Sequence, residues 1–197
     1  MKIAIKIVTI ILFPFVIGLS IPEKNQPTQL LSYAFNPGHL DGPFTGGFGE
    51  QTCHSCHFDY DLNREEGSLT IEGINETFKA GKKYKLTVTV ESEHLEIGGF
   101  QMTARFEDGS QAGEFLWDDN RLMLTPSISD KIQYLQHSDV GTSPTGERKV
   151  SWSFNWLAPD DNSKTVIFNI AANAGNYDDS AFGDWIYVKE LPTYPAR

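Results

Sequence analysis

The chain has 197 residues, enough for one domain with a sizeable core and at most one extra segment. Apolar residues make up 40% and charged residues 21%, an ordinary globular balance. The formal net charge of −10 argues against nucleic acid and anionic membrane surfaces as partners; it suits a basic or neutral partner, or simply a solvated acidic surface.

Residues 1–20 read as a secretory signal. Lys2 and Lys6 form a short basic start, and Ile7 to Leu19 is an almost unbroken apolar run, short for a membrane span. Gly18-Leu19-Ser20 is a poor cleavage site, so an uncleaved anchor is the alternative. Either way the chain is expected to be exported, to a periplasm or to the extracellular face of a cell. Removing the segment takes two lysines and no acid, which leaves the remainder more acidic.

Residues 21–66 read as a loop-rich segment. Pro22, Pro27, Pro37 and Pro43 forbid long regular elements, and glycines gather from Gly38 to Gly49. Such glycines let backbone pass close to a flat ligand, or simply make a surface loop. His39, Phe44 and Phe48 lie here and could cover a haem. The segment ends in Thr52-Cys53-His54-Ser55-Cys56-His57-Phe58, which holds both cysteines and two of the five histidines. Cys53, Cys56 and His57 form a C-x-x-C-H, the pattern of covalent c-type haem attachment. Two cysteines three apart can each bond a haem vinyl group, and the next histidine can reach the iron. His54 occupies a variable position of the pattern and is not expected to bind this iron. The competing readings are a disulfide or redox dithiol, for which the expected βαβ context is missing, and a zinc site recruiting His57, His54 and Asp59, for which no tetrahedral set is evident.

From residue 67 to 190 the chain alternates with period two. Ser68–Glu72, Tyr84–Glu91, Phe100–Phe106, Phe115–Trp117, Arg121–Thr125, Ile132–His137, Val150–Trp156, Lys164–Asn173 and Asp184–Lys189 read as strands, with turn residues between them. Eight or nine short strands at this spacing predict a mainly β, antiparallel sandwich. Residues 191–197 read as a tail. Asn173, Asn176, Asp178, Asp179, Ser180 and Asp184 could coordinate calcium through oxygen, but EF-hand spacing is absent and such residues ordinarily build turns. Asn75-Glu76-Thr77 matches a glycosylation sequon by chance. No nucleophile elbow, phosphate-binding loop or H-E-x-x-H occurs.

Several stretches together resemble the bacterial relatives of the Reeler (reelin-type) domain called choice-of-anchor V proteins. They are Thr45-Gly46-Gly47-Phe48-Gly49-Glu50, Thr52 to Asp59, Gly98-Gly99-Phe100-Gln101, Tyr134 with His137, Trp156-Leu157-Ala158-Pro159, and Ala171-Ala172-Asn173-Ala174 leading to Gly183-Asp184. The resemblance spans about residues 43–188. It implies an exported sandwich of Ig-like type and little about activity. Such relatives usually carry a C-terminal anchor or sorting signal, which Tyr194-Pro195-Ala196-Arg197 does not resemble.

Read as a whole, the sequence is that of an exported monohaem c-type cytochrome. Cys53 and Cys56 hold the haem, His57 ligates its iron, and electrons pass to a redox partner protein that the sequence does not identify. Three residues compete for the sixth position. His137 comes first, placed on the strand face opposite Ile132 and Tyr134. Met102 comes second, although it shares a strand face with Phe100, Ala104 and Phe106 and suits core filling. His39 comes third. The competing class is an extracellular binding or adhesion module whose haem is sensory or structural. A haem enzyme is a third reading and requires an open distal position.

Overall fold

A computed structural model describes residues 42–125 and 131–196. The alternating stretches form ten strands among these residues: β1 (Gly67–Glu72), β2 (Thr77–Phe78), β3 (Lys83–Ser92), β4 (Ile97–Phe106), β5 (Glu114–Leu116), β6 (Leu122–Leu124), β7 (Leu135–His137), β8 (Lys149–Leu157), β9 (Val166–Gly175) and β10 (Trp185–Pro195). They make two sheets, one of four strands ordered β1-β3-β8-β5 and one of six ordered β2-β10-β9-β4-β7-β6. All neighbours are antiparallel except β2 and β10. The fold is thus the expected sandwich, with one parallel pair at an edge.

Strand β8 shows why the sheets face each other as they do. Val150, Trp152, Phe154 and Trp156 are buried, while Ser151 and Ser153 point outward. Opposite them on β3, Val90, Val88 and Leu86 meet the apolar set. Thr89 and Thr87 meet the serines, with hydroxyl–hydroxyl bonds of 2.8 and 2.9 Å. The apolar face packs on Phe100, Met102 and Ala104 of β4 and on Phe168 and Ile170 of β9. Phe100 lies 4.5 Å from Trp152, and Phe168 meets Trp156 edge-on at 4.9 Å. Both indoles find acceptors: Trp152 Nε1 donates to Gly141 O (2.8 Å) and Trp156 Nε1 to Ala112 O (3.0 Å).

Three details differ from the sequence reading. Strand β2 is only two residues long, too short for periodicity to reveal. Strand β10 continues through Pro195, so much of the expected tail is sheet: Tyr194 and Pro195 pair with Thr77 and Phe78. The proline is tolerated because it ends an edge pairing. Strand β7 is confined to Leu135–His137, and its parity is the reverse of that expected. Leu135 enters the core, whereas Tyr134 turns to the outer face of the six-stranded sheet, where it bonds to Glu50 and Arg105.

That outer face carries the functional architecture. Every residue of β4 from Gly98 to Phe106 is buried, on both faces. The inner set is apolar; the outer set is Gly99, Gln101, Thr103 and Arg105, covered by the segment from Gly42 onward. Phe44 N–H donates to Gln101 Oε1 (2.6 Å), and Gln101 Nε2 donates to Gly42 O (3.0 Å). Glu50 forms a buried ion pair with Arg105 and accepts further bonds from Tyr134 (2.6 Å) and Thr45 (2.6 Å). The turn that delivers Glu50 needs left-handed backbone at Gly46 (φ 77°) and Gly49 (φ 82°), and Thr45 bridges to Thr52 at its base. The glycine cluster is therefore a clamp on β4.

Candidate functional site

The clamp hands the chain directly to the C-x-x-C-H. Thr52 Oγ1 accepts from His54 N–H at 3.2 Å, which starts a single 3₁₀ turn at Cys53–Ser55. The N–H groups of Cys56 and His57 both return to Cys53 O, at 3.2 and 3.1 Å. This one turn brings Cys53, Cys56 and His57 to the lining of a cavity of about 420 Å³. The same lining includes the end of β4, Ile97 to Gln101, together with Gln136, His137 and Thr142. Phe44 and Ile97 add apolar wall. The volume lies in the ~300–1,000 Å³ range of cofactor pockets.

His57 is held from behind. Its Nδ1 lies 2.6 Å from Asp184 Oδ2. An ionised carboxylate only accepts, so the proton is on Nδ1 and Nε2 is the basic ring nitrogen. Asp184 is itself fixed: its Oδ1 accepts Asn176 N–H at 3.0 Å and its Oδ2 accepts Asn173 Nδ2 at 3.2 Å. Burial pushes the Asp184 carboxyl up, but the bonds from His57, Asn176 and Asn173 outweigh it and hold the group below the ordinary carboxylate range. Asn173 comes from β9 and Asp184 immediately precedes β10, so two separate parts of the sheet support one imidazole.

His137 lines the same cavity. Its Nδ1 sits 3.0 Å from both the N–H and the carbonyl oxygen of Phe100. The ring lies over Gly99, where a side chain would not fit: a Cβ there would fall 2.7 Å from His137 Cε1 and 3.0 Å from Nε2. Gly99 is what admits this histidine to the cavity wall. Met102, by contrast, is fully buried in the core between the sheets and is not part of the lining. It fills the core, as its strand parity with Phe100 and Ala104 dictates. His39 and the leader-like residues 1–20 lie outside the described residues. Of the two phenylalanines expected to cover a haem, Phe44 lines the cavity. Phe48 does not: the left-handed turn swings it over the Arg105 guanidinium, 4.9 Å from the ring centre.

The competing chemistries meet specific obstacles. Burial pushes the Cys53 thiol up to about 12, opposite to the lowered value that activates a redox dithiol. His54 Nε2 is engaged with Tyr60 O at 2.9 Å, and Asp59 Oδ2 accepts from Gly183 N–H at 2.8 Å. In the acidic loop Asp178 accepts from Ser180 N–H (3.0 Å) and Asn176 from Asp178 N–H (3.2 Å), which are side-chain-closed turns. Among the described residues no group of three or more His, Cys, Asp or Glu side chains is arranged to hold a metal ion.

A haem needs no such cluster, only one ligand on each face, and the residues present fit it. Two free cysteines and two histidines, one of them oriented by Asp184, line a single cavity. Gln136 Nε2 and Asn173 Oδ1, on two cavity-lining residues, are buried without hydrogen-bond partners. Such atoms are costly unless an occupant or water satisfies them.

The positioning pair Asn173 and Asp184 was missed as such by the sequence reading, which weighed both for calcium. The signal was nonetheless there, because both residues belong to stretches that carry the family resemblance. Residues 51–177 match the model of the Reeler domain. No curated protein matches. Among solved structures the chain is similar to the Reelin-N domain of F-spondin, with 21% identity over 68% of this chain and 89% of that one and a TM-score of 0.46. It is also similar to the human F-spondin reeler domain, with 21% identity, coverage of 68% and 92%, and a TM-score of 0.43. The family model covers well over half of the sequence, and the chain belongs to the Reeler domain family.

Proposed function

We propose that this Reeler sandwich is an exported c-type haem protein, with the haem seated in the cavity between the Cys53–His57 turn and the end of β4. The observation that carries the reading is the lining of that cavity, which brings both cysteines, His57 and His137 together around one space. Cys53 and Cys56 would hold the group by adding their thiols across its two vinyl groups, sulfur to one carbon and hydrogen to the other, which consumes no oxidant. His57 would be the proximal ligand and His137 the distal one. The bound haem would supply a one-electron couple. The chain's own part is to fix the two imidazoles, by Asp184 and by the Phe100 backbone, and to exclude water with Phe44 and Ile97. Export rests on the apolar segment at residues 7–19 and on family membership; the choice-of-anchor V subgroup remains the closer resemblance we infer.

Electron transfer to a partner protein is the activity proposed. Membership of the Reeler family favours a second reading, an extracellular binding or adhesion module in which the same haem is a sensor or a structural staple. Coordination separates the carrier from the sensor. A carrier keeps its iron six-coordinate and low-spin, whereas a gas sensor or haem enzyme needs an open sixth position. Wild type is expected to bind carbon monoxide poorly in the ferrous form. His137→Ala is expected to keep the thioethers, turn the spectrum high-spin and bind carbon monoxide. Ready binding by wild type would sink the carrier reading in favour of the sensor. A closed wild type with an unchanged His137→Ala spectrum would remove His137 from the distal position.

A further inference from the structure

Asp184 stands behind His57 in a way that a merely structural aspartate need not. It is 4% exposed, its two oxygens accept three bonds from three residues, and the shortest of these, 2.6 Å, comes from the imidazole. An aspartate that only tied β10 to β9 would be satisfied by Asn173 and the Asn176 N–H alone. The extra bond runs to the one side chain that lines the cavity and follows the second cysteine. Carboxylates placed on the far nitrogen of a ligating imidazole fix its tautomer and raise its basicity. A more basic imidazole donates more electron density and favours the higher oxidation state of the iron it binds.

We propose that Asp184 is the positioning residue of the site: it fixes His57 with its proton on Nδ1 and poises a haem held at Cys53 and Cys56 toward the ferric state. Asn173 moderates the effect. Its amide donates to the same Oδ2 that His57 uses and so draws off part of the carboxylate's charge. This inference rests on the haem reading above, and the two can fail separately.

The test measures the reduction potential of the matured protein by spectroelectrochemistry, and the tautomer of His57 in the haem-free protein by ¹⁵N NMR. Asp184→Asn keeps the shape and removes the charge. It is expected to shift the ferric-to-ferrous ratio at a fixed potential by about tenfold toward ferrous, a rise of about 59 mV for a one-electron couple. Asn173→Ala, which leaves Oδ2 to His57, is expected to move the potential the other way, and it reads the same interaction should the first variant fold poorly. Haem-free wild type is expected to show the Nδ1–H tautomer, and Asp184→Asn to lose that preference. Covalent haem with a potential indifferent to both variants, or moved in the same direction by both, would overturn the role of Asp184 while leaving the haem reading intact. Wild type without covalent haem would overturn the haem reading. An Nε2–H tautomer in the haem-free protein would overturn the positioning role on its own.

Discussion

Glu50→Ala is expected to destabilise the protein by about 3–5 kcal/mol, the cost of stranding a buried charge by removing its partner. The side chains of Arg105 and Glu50 are only 6% and 11% exposed, so water cannot replace the lost carboxylate without opening the structure. The Tyr134 hydroxyl and the Thr45 hydroxyl lose the same acceptor. In the wild type, burial and the Glu50 carboxylate push the Tyr134 phenol well above its usual range, so it donates to Glu50 as a neutral hydroxyl. The effect should appear as a lower denaturant midpoint with an unchanged slope. Because Glu50 is the latch that leads into Thr52 and Cys53, the same variant should also retain less haem. A loss under about 1 kcal/mol would mean that Arg105 is not buried under the clamp.

The second large effect is all or none. Cys53→Ala with Cys56→Ala is expected to abolish haem that survives denaturing electrophoresis while leaving the sandwich folded. Neither thiol belongs to the core: Cys53 is half-buried, Cys56 is exposed, and both stand on a loop outside the two sheets. Removing them costs little packing, so the melting temperature of the haem-free protein should fall by only a few degrees. Each single variant is expected to keep one thioether and therefore some stain. Collapse of the double variant in the absence of haem would assign the cysteines a structural role instead.

The parts of the fold that were legible in the sequence are those where one face is apolar and the other polar. Strand β8 announces itself because Trp152, Phe154 and Trp156 alternate with Ser151, Ser153 and Asn155, and β3 does so for the same reason. The short strands were less legible. At β7 the apparent apolar position Tyr134 is an amphipathic ring that buries its body and bonds Glu50 with its hydroxyl, so a period-two reading assigns it to the wrong face. On β4 the outer residues Gln101, Thr103 and Arg105 look solvent-facing by type, yet they are buried beneath a glycine-rich loop that has no periodicity. The candidate site was legible in a different manner. Local spacing singled out Cys53, Cys56 and His57, since a C-x-x-C-H is contiguous. The supports of His57 come from 116 and 127 residues away and have no local signature. Met102 illustrates the converse: its residue type suggested a ligand, but its strand parity places it in the core.

Glycine 99 connects these observations. A β-branched residue would suit its place in β4 far better by propensity, but any side chain there would strike the His137 ring. The strand gives up local preference at the point where the cavity needs a flat floor. This is the kind of conflict between local and global fit expected at a functional site.

Whether the cavity receives a covalently attached haem decides between a cytochrome and a haem-free Reeler module. The direct measurement is the intact mass and pyridine haemochrome spectrum of the wild-type protein, produced with residues 1–20 included, in a host competent for cytochrome c maturation. One haem per chain, retained after denaturation and lost in the double cysteine variant, is the result expected. Folded, exported protein of unmodified mass with both thiols free, from a host that matures a control cytochrome in parallel, would contradict it and leave a Reeler module whose cavity serves another ligand.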